Sequence, residues 1–316
     1  MAFHSCPVTV KPCESAPMKP NSFAWETAPA KINLSLKITG RRADGYHLLN
    51  SLVAFTDFGD RVSIVNSVQS NRIPLEICGA EAENLQAFPS ADNLCIRAAE
   101  ALFQYRLNHQ IIVSWPFGLK LEKNLPIASG IGGGSADAAA TLRLLNRHYG
   151  FGYSSQELAE LSLPLGADVP ACIWSQSLIM SGIGDQIQPI TLPPQIHILL
   201  VNPRIALPTA AVFAGFKAGY LPSQVTPPKA DWNRFDLYDY LRQLGNDLTA
   251  AAIVIVPTVG EVLSALQSLA GAEFVAMSGS GASCFALFNS ASACDSAAKI
   301  LSRHQPDWWI HAGRLV

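Results

Sequence analysis

The residues whose types and spacing most clearly indicate a chemical role are four glycines, Gly130, Gly132, Gly133 and Gly134. They are followed directly by Ser135. Glycine has no Cβ, so its backbone can approach an anion closely and adopt positive φ. The residues from Ser135 onward predict a helix, whose first N–H groups and dipole favour a negative ligand. Ser135 can cap that helix or offer its hydroxyl to a phosphate or a magnesium ion. The pattern predicts a phosphate-binding loop, and the alternative is a turn that serves only chain geometry.

Two well-known kinds of phosphate loop do not fit this segment. A P-loop ends in Gly-Lys-Ser or Gly-Lys-Thr, and no such ending follows the glycines here. The spacing Gly130-x-Gly132-x-x-Ser135 lacks the third glycine of a dinucleotide fingerprint, and no acidic residue follows at the offset that binds a ribose. The sequence therefore disfavours both P-loop enzymes and nicotinamide-dependent oxidoreductases.

A strict alternation of polar and apolar residues runs over Lys31–Ile38. A period of two predicts a half-buried strand with Lys31 and Asn33 on its polar face, together with Ser35 and Lys37. Side chains two positions apart project about 7 Å from one another, so a cation and an amide could reach one ligand. The alternative is an ordinary lysine on an exposed face.

Two further groups could act on such a ligand. Asp168 lies in a loop between a glycine and a proline, where its carboxylate could orient an alcohol and accept its proton late in a reaction. Tyr46 and His47 follow the turn Asp44-Gly45 and offer an aromatic face and a hydrogen-bonding edge. Their alternatives are a turn-capping aspartate, an aromatic that packs on the core, and a solvated histidine.

Composition excludes several classes of protein. The chain has 316 residues, with 22 basic and 24 acidic side chains. It therefore lacks the basic excess of a protein that binds nucleic acid or anionic membranes. No window approaches the roughly 18 apolar residues of a membrane span, and residues 1–22 read as a flexible tail and not a signal peptide. The seven cysteines are scattered without a CxxC pair, which predicts buried thiols in a reducing, cytoplasmic setting.

Strand and helix patterns mix without a regular βαβ alternation, which predicts an α+β fold. Proline-rich sequence at Pro189–Pro194 predicts a domain boundary there, between residues 23–190 and 191–316. The predicted strands are 52–58, 108–121, 196–201, 273–277 and 282–288. The predicted helices are 92–107, 155–163, 246–255, 259–269 and one that starts at Ser135.

Several of these segments resemble a known superfamily. Pro126–Ala136, followed by Asp-Ala-Ala, resembles the ATP-binding motif of the GHMP kinases, and Met277–Gly281 resembles their C-terminal glycine motif. Ala28–Leu34 and Arg42–His47 resemble the branch that phosphorylates 4-diphosphocytidyl-2-C-methyl-D-erythritol. Two further segments fit that branch, Leu165–Pro170 and Gly245–Leu248. The resemblance runs in order from about residue 28 to residue 288.

The resemblance implies a two-domain α+β GHMP kinase fold. A ribosomal-protein-like N-terminal domain (23–190) would bind ATP, and a ferredoxin-like C-terminal domain (191–316) would complete the substrate site in the cleft between them. The implied reaction transfers the γ-phosphoryl group of ATP to the 2-hydroxyl of the cytidine diphosphate substrate, a step of the non-mevalonate isoprenoid pathway. ATP with Mg²⁺ is the implied cofactor, with no tightly bound group, no obligate protein partner, no nucleic acid and no membrane.

The resemblance also implies roles for particular residues. Lys31 and Asp168 match the catalytic pair. The substrate-binding positions are Asn33, Tyr46, His47, Thr209 and Phe213. The ATP-binding positions are Pro126, Ile127, Ala128, Ser129, Gly130, Ile131, Gly132, Gly133, Gly134, Ser135, Ala136, Gly279 and Ser280. A pyrimidine stacked between Tyr46 and Phe213, with His47 at its polar edge, is a reasonable arrangement.

The sequence departs from the family pattern at two places. Ala128-Ser129 stands where a glycine followed by glycine or alanine is frequent, and Ala136 replaces a frequent second serine. Ser135 is therefore the remaining candidate to bind magnesium. The turn Gly279–Gly281 would supply further N–H groups to the phosphate, unless it is a tight β-turn with no ligand.

Two other functions stay open at this point. The chain could be a kinase for another alcohol, such as homoserine or mevalonate, although a small substrate needs no stacking platform like Tyr46-His47. It could also be a regulatory nucleotide-binding module that has lost catalysis. The presence of Lys31, Asn33 and Asp168 together argues against this second alternative.

Overall fold

The computed structural model describes residues 9–10, 25–85, 92–107, 114–217, 219 and 232–316. The described chain forms two compact units, each built from separate stretches of sequence. Unit 1 comprises the described residues of Met1–Ala30, Phe58–Ile127 and Gly133–Trp174, and unit 2 those of Lys31–Asp57, Ala128–Gly132 and Ser175–Val316. Most of the predicted tail, and the centre of the strand predicted over 108–121, lie outside the described residues. The predicted boundary near residue 190 stays a prediction.

The secondary structure mixes strands and helices along the chain. The strands are β1 (Thr9–Val10), β2 (Glu26–Asn33), β3 (Lys37–Arg41), β4 (His47–Ser70), β5 (Leu75–Cys78), β6 (Trp115–Glu122), β7 (Leu178–Gly182), β8 (Gln186–Pro189), β9 (His197–Asn202), β10 (Ala272–Met277), β11 (Cys284–Phe288) and β12 (Trp309–Arg314). The helices are α1 (Ala82–Leu85), α2 (Leu94–Arg106), α3 (Gly133–Tyr149), α4 (Ser155–Ser162), α5 (Val169–Trp174), α6 (Thr209–Ala214), α7 (Arg234–Leu244), α8 (Thr249–Ile255), α9 (Thr258–Gln267) and α10 (Ala291–His304), with a 3-10 turn at Leu163–Leu165.

Unit 1 packs helices against a short mixed sheet. The second half of β4 pairs antiparallel with β6, and β5 pairs parallel with β6. Helix α3 packs on α2 and α5, and Ala138, Leu142 and Leu145 on its predicted apolar stripe are fully buried. Since these side chains hold α3 in the core, the first turn of the helix has a fixed position in this unit.

Unit 2 contains a four-stranded antiparallel sheet in the order β10-β11-β9-β12. Helices α8, α9 and α10 cover it, and their apolar side chains join those of β9 and β11 in one core. In the same unit, the first half of β4 pairs antiparallel with β3 and β7. The turn between β10 and β11 carries Ser278–Gly281, so the predicted arrangement of strand, glycine turn and strand is confirmed.

The segment Lys31–Ile38 does not form the single half-buried strand that its alternation predicted. Strand β2 ends at Asn33, and β3 begins at Lys37. Between them the chain makes an isolated bridge from Leu36 to Asn246. The strand is therefore interrupted where the chain turns toward other parts of unit 2.

The polar face of this segment is also buried and not exposed. The exposed fractions are at most 9% for Lys31, Asn33, Ser35 and Lys37. The Asn33 side-chain amide donates to the Ser51 hydroxyl (2.7 Å). Lys37 forms an ion pair with Asp247, which also accepts the backbone N–H of Ile38. The half-buried strand predicted from the alternation is therefore wrong, because partners distant in sequence bury the polar residues of the segment as well as the apolar ones.

Two other predictions from composition concern the described residues. All five described cysteines are buried: Cys78, Cys95, Cys172, Cys284 and Cys294. Burial raises the pKa of the Cys294 thiol to about 12, so it is protonated near neutral pH. In the described ranges, no helix combines the length and hydropathy that a membrane crossing requires.

Candidate active site

The two glycine-rich segments meet in unit 2. We call residues 128–132 the glycine loop and residues 278–281 the glycine turn. The Ser278 hydroxyl donates to the carbonyl oxygen of Gly130 (3.1 Å) and accepts the backbone N–H of Asn33 (3.0 Å). One side chain therefore ties the turn to both the loop and the end of β2.

Close backbone contact explains why glycine is needed at this junction. Gly130 has φ of +74°, and a Cβ there would lie 2.5 Å from the Gly281 carbonyl oxygen and 2.8 Å from that of Ser278. Gly279 has φ of +56°, and its Cβ would lie 3.0 Å from the Gly130 carbonyl oxygen. A side chain at Gly130 would both strain the backbone and separate the loop from the turn.

Lys31 lies against the end of the glycine loop. Its backbone N–H donates to the carbonyl oxygen of Ile131 (3.0 Å). A Cβ on Gly132 would be 3.1 Å from the Cβ of Lys31 and 3.3 Å from its Cε. Gly132 thus leaves room for the aliphatic part of this buried lysine, and the loop and the predicted catalytic cation form one local structure.

Asn246 supports the glycine turn, and the sequence assigned it no role beyond membership of a family-like segment. Its side-chain amide donates to the carbonyl oxygens of Met277 and Gly279, both at 2.8 Å. Its side-chain oxygen accepts the N–H of Leu248 (2.9 Å). The amide therefore orients two carbonyls at the turn, whose own N–H groups at Ser278 and Gly281 donate to the carbonyl oxygens of Ser283 and Ser278.

A histidine and two phenylalanines form an aromatic group in unit 2. The His47 ring lies 5.3 Å from Phe213 at an interplanar angle of 31°, and 6.3 Å from Phe216 at 89°. Burial and the nearby Arg41 guanidinium lower the pKa of His47 below its usual value. Two predicted substrate residues are thus neighbours. Phe216, which the sequence analysis missed, lies after the end of α6 at Ala214, so helical spacing could not have found it.

Two other predicted substrate residues take no part in the ring contacts of this group. The Tyr46 side chain is 63% exposed and takes part in no ring contact among the described residues. The Thr209 hydroxyl lies 2.9 Å from that of Ser280 on the glycine turn, so a predicted substrate residue touches a predicted ATP residue. The pyrimidine stack between Tyr46 and Phe213 stays a prediction.

Unit 1 contains the remaining predicted residues. Helix α3 begins at Gly133, so Ser135 lies inside its first turn and does not cap it as the sequence suggested. Ala136 is buried. Asp168 directly precedes α5, and its carbonyl oxygen accepts the N–H of Cys172 (3.2 Å). These placements leave the catalytic role of Asp168 and the magnesium role of Ser135 as predictions.

Comparison with known families gives the class of this protein. The chain matches the model of the GHMP kinases N terminal domain over residues 93–176 and that of the GHMP kinases C terminal over residues 229–307. Together these ranges cover more than half of the chain. The chain is therefore a GHMP kinase with the α+β fold of that class, and GHMP kinases are small-molecule phosphotransferases.

Individual relatives narrow the class further. The chain is 43% identical to a 4-diphosphocytidyl-2-C-methyl-D-erythritol kinase from Agrobacterium fabrum over 92% of this chain and 96% of the relative. It is 45% identical to one from Ruegeria pomeroyi over 92% of this chain and 98% of the relative. A crystal structure of 4-(cytidine 5'-diphospho)-2C-methyl-D-erythritol kinase aligns with a TM-score of 0.70 at 28% identity, covering 92% of this chain and 99% of that one. The chain belongs to the 4-diphosphocytidyl-2-C-methyl-D-erythritol kinase family, which confirms the predicted resemblance.

Proposed function

We propose that this protein transfers the γ-phosphoryl group of ATP to the 2-hydroxyl of 4-diphosphocytidyl-2-C-methyl-D-erythritol. The observation that carries this proposal is the joined glycine loop and glycine turn with Lys31 lying on the loop. This arrangement supports the proposal because phosphoryl transfer requires bound phosphates and compensation of their charge, which the loop backbone and the Lys31 ammonium would provide. The names of the relatives supply the identity of the acceptor.

The nucleotide would be bound mainly by backbone groups. Residues 126–136 run from the end of β6 through the loop into helix α3, and the first N–H groups of that helix have no partner inside it. Such N–H groups and the helix dipole attract a phosphate. Gly279 and Ser280 would add groups from the turn.

The transfer itself would use Lys31 and Asp168 as the catalytic pair. A bond forms between the substrate 2-oxygen and the γ-phosphorus, while the bond from that phosphorus to the β,γ-bridging oxygen breaks. The proton of the 2-hydroxyl passes to the Asp168 carboxylate. The Lys31 ammonium would offset negative charge on the transferring group and on the nucleophile. Positioning and charge compensation, with little covalent chemistry by the protein, suffice for this reaction.

The cytidine end of the substrate would be recognised by His47 and Phe213, supported by Tyr46, Asn33 and Thr209. The lowered pKa of His47 favours a neutral imidazole, which can donate one hydrogen bond and accept another. That matches the mixed donors and acceptors on the edge of cytosine. A base that stacks on an aromatic ring gains about 1–3 kcal/mol.

Magnesium is the expected companion of ATP. Mg²⁺ binds oxygen ligands and usually keeps waters and substrate phosphates, with only one or two ligands from protein. The half-buried Ser135 hydroxyl in the first turn of α3 fits that need, and it is the residue we assign to it. When bound, the ion neutralises charge on the β- and γ-phosphates.

An ATP-consumption assay across a panel of alcohols tests the substrate. The panel should contain the diphosphocytidyl polyol, homoserine and mevalonate. We expect turnover with the first compound only. Turnover of another alcohol instead would identify a different GHMP kinase, and ATP binding without any turnover would support the regulatory module.

Two variants test the residue roles. Asp168→Asn should lower kcat by at least about 100-fold, the usual contribution of a general base, with nearly unchanged ATP binding. Phe213→Ala should raise the KM for the cytidine substrate about tenfold or more and leave the KM for ATP unchanged. If Asp168→Asn weakens ATP binding as strongly as it lowers kcat, the loss comes from a folding defect and the assignment of Asp168 is contradicted. The same holds for Phe213 if Phe213→Ala raises the KM values for both substrates equally.

A further inference from the structure

Unit 1 buries three ionisable side chains that the proposed reaction does not use. The Lys123 ammonium lies 2.5 Å from an Asp60 carboxylate oxygen and 2.7 Å from one of Asp137. The side-chain exposures are 4% for Lys123, 0% for Asp60 and 5% for Asp137. Burial alone would lower the pKa of Lys123, but the two carboxylates outweigh burial and raise it. Lys123 is therefore a buried cation.

This cation lies directly behind the first turn of helix α3. A Cβ on Gly133, the first residue of α3, would be 3.2 Å from the Lys123 Nζ and 3.7 Å from an Asp60 carboxylate oxygen. The absence of a side chain at Gly133 thus lets the ammonium approach the helix terminus. The same turn contains Gly134 and Ser135, which we assign to ATP.

The two carboxylates are not equivalent. One Asp60 oxygen accepts the backbone N–H groups of Asn124 and Leu125 (2.5 and 2.8 Å), and the other accepts from Lys123. Asp137 accepts from Lys123 through one oxygen, and its Oδ1 has no hydrogen-bond partner in the described part of the chain. Asp60 anchors the chain after β6, whereas burial and the neighbouring Asp60 raise the pKa of Asp137 well above its usual value.

Stability alone is a poor reason to bury such a cluster. Well-packed apolar residues usually replace buried ion pairs at no cost or with a gain in stability. A positive charge held behind a helix N-terminus does, however, strengthen the attraction of that terminus for an anion. The backbone of Lys123 is fixed as well. Its N–H donates to the carbonyl oxygen of Cys78, and its carbonyl oxygen accepts the N–H of Glu81.

We propose that Lys123 is a positioning residue for ATP, whose buried ammonium sets the place and the positive potential of the first turn of α3. The proposal rests on the proposed function, because it assigns ATP phosphates to that turn. Lys123 does not touch the nucleotide in this proposal; it acts through Gly133 and the N–H groups that follow.

A double variant separates this role from a purely structural one. Lys123→Met with Asp137→Asn removes the ammonium together with the carboxyl group that has no other partner, and Asp60 keeps its backbone contacts. We expect a folded protein whose Kd and KM for MgATP rise about tenfold, the effect of a partly buried charge at a helix terminus. The KM for the cytidine substrate should not change. A purely structural role would alter the unfolding midpoint but leave the ATP constants of the folded protein as they are, and that result would overturn the proposal.

Two single variants complete the test. Lys120→Met removes a lysine of β6 that lies three residues before Lys123 and over the Trp25 ring (5.9 Å), and it should leave the Kd for MgATP unchanged. Asp137→Asn keeps the Lys123 ammonium and removes only a carboxylate that is half unpartnered, so the Kd should stay equal or fall. A raised Kd for Asp137→Asn would refute the proposal even if the double variant failed to fold. If the wild-type protein itself does not bind MgATP in the same calorimetric titration, the proposed function fails, and not merely the role of Lys123.

Discussion

Replacing Gly130 by alanine tests whether the glycine loop and the glycine turn act as one structure. At φ of +74° the new Cβ would lie 2.5 Å from the Gly281 carbonyl oxygen and 2.8 Å from that of Ser278. Both obstacles are backbone atoms, so no flexible side chain can move aside. Gly152 is a matched control because its φ is +78° and a Cβ there would have nothing within 4 Å.

The two substitutions share one cost and differ in another. A left-handed backbone costs an alanine roughly 1–2 kcal/mol at either position. At Gly130 the turn must also move away, which breaks the hydrogen bond from the Ser278 hydroxyl, worth about 1 kcal/mol, and loses close packing. We therefore expect Gly152→Ala to lower the free energy of unfolding by about 1–2 kcal/mol and Gly130→Ala by about 3 kcal/mol or more.

Urea denaturation and steady-state kinetics measure both effects. Gly152→Ala should keep the wild-type KM for ATP. Gly130→Ala should raise that KM by more than about tenfold, since a 1.4 kcal/mol loss of binding energy already corresponds to that factor. If both variants lower the free energy of unfolding equally and bind ATP alike, the contact between the glycine loop and the glycine turn has no energetic importance, and the two do not act as one structure.

Two further predictions concern other parts of the described chain. An NMR titration of His47 should have its midpoint below pH 6.5, because burial and the Arg41 charge both disfavour the imidazolium. Arg41→Gln should move that midpoint upward. The contribution of the neutral ring to the free energy of unfolding is therefore lost as the pH falls below 6.5. An unchanged midpoint in the variant would contradict the electrostatic cause. Gly79→Ala should lower the urea midpoint strongly, because φ is +103° there and a Cβ would lie 2.4 Å from the carbonyl oxygen of Lys123; a wild-type midpoint would show that this backbone contact yields easily.

The glycine segments were predictable because their chemistry is local. Four glycines before a run of helix-forming residues indicate a backbone anion site in any fold, and the observed α3 begins at Gly133, two residues before the predicted start. The strands and helices predicted between residues 196 and 288 also agree with the structure to within a few residues, for example β9 at His197–Asn202, although α6, α7 and α10 were not predicted. Burial of α3 through Ala138 and Leu142 follows from their helical spacing.

The buried polar groups could not be predicted in the same way. Lys31 and Lys37 read as exposed because an isolated lysine is usually solvated, and Lys123 follows a strand in which polar and apolar residues alternate. Lys37 meets Asp247, and Lys123 meets Asp60 and Asp137. The spacing of polar and apolar residues cannot indicate that a carboxylate from a distant segment will pair with a lysine.

The sequence alone was enough to indicate phosphate chemistry. A phosphate-binding loop depends on backbone freedom and on the start of a helix, and consecutive residues determine both. Tertiary structure decided which groups share a site. It placed Ser278 on Gly130, His47 beside Phe213, and the Lys123 ammonium behind Gly133. Such neighbours depend on how distant segments pack, since the energies that bring them together come from burial and charge pairing across the fold and not from local conformational preference.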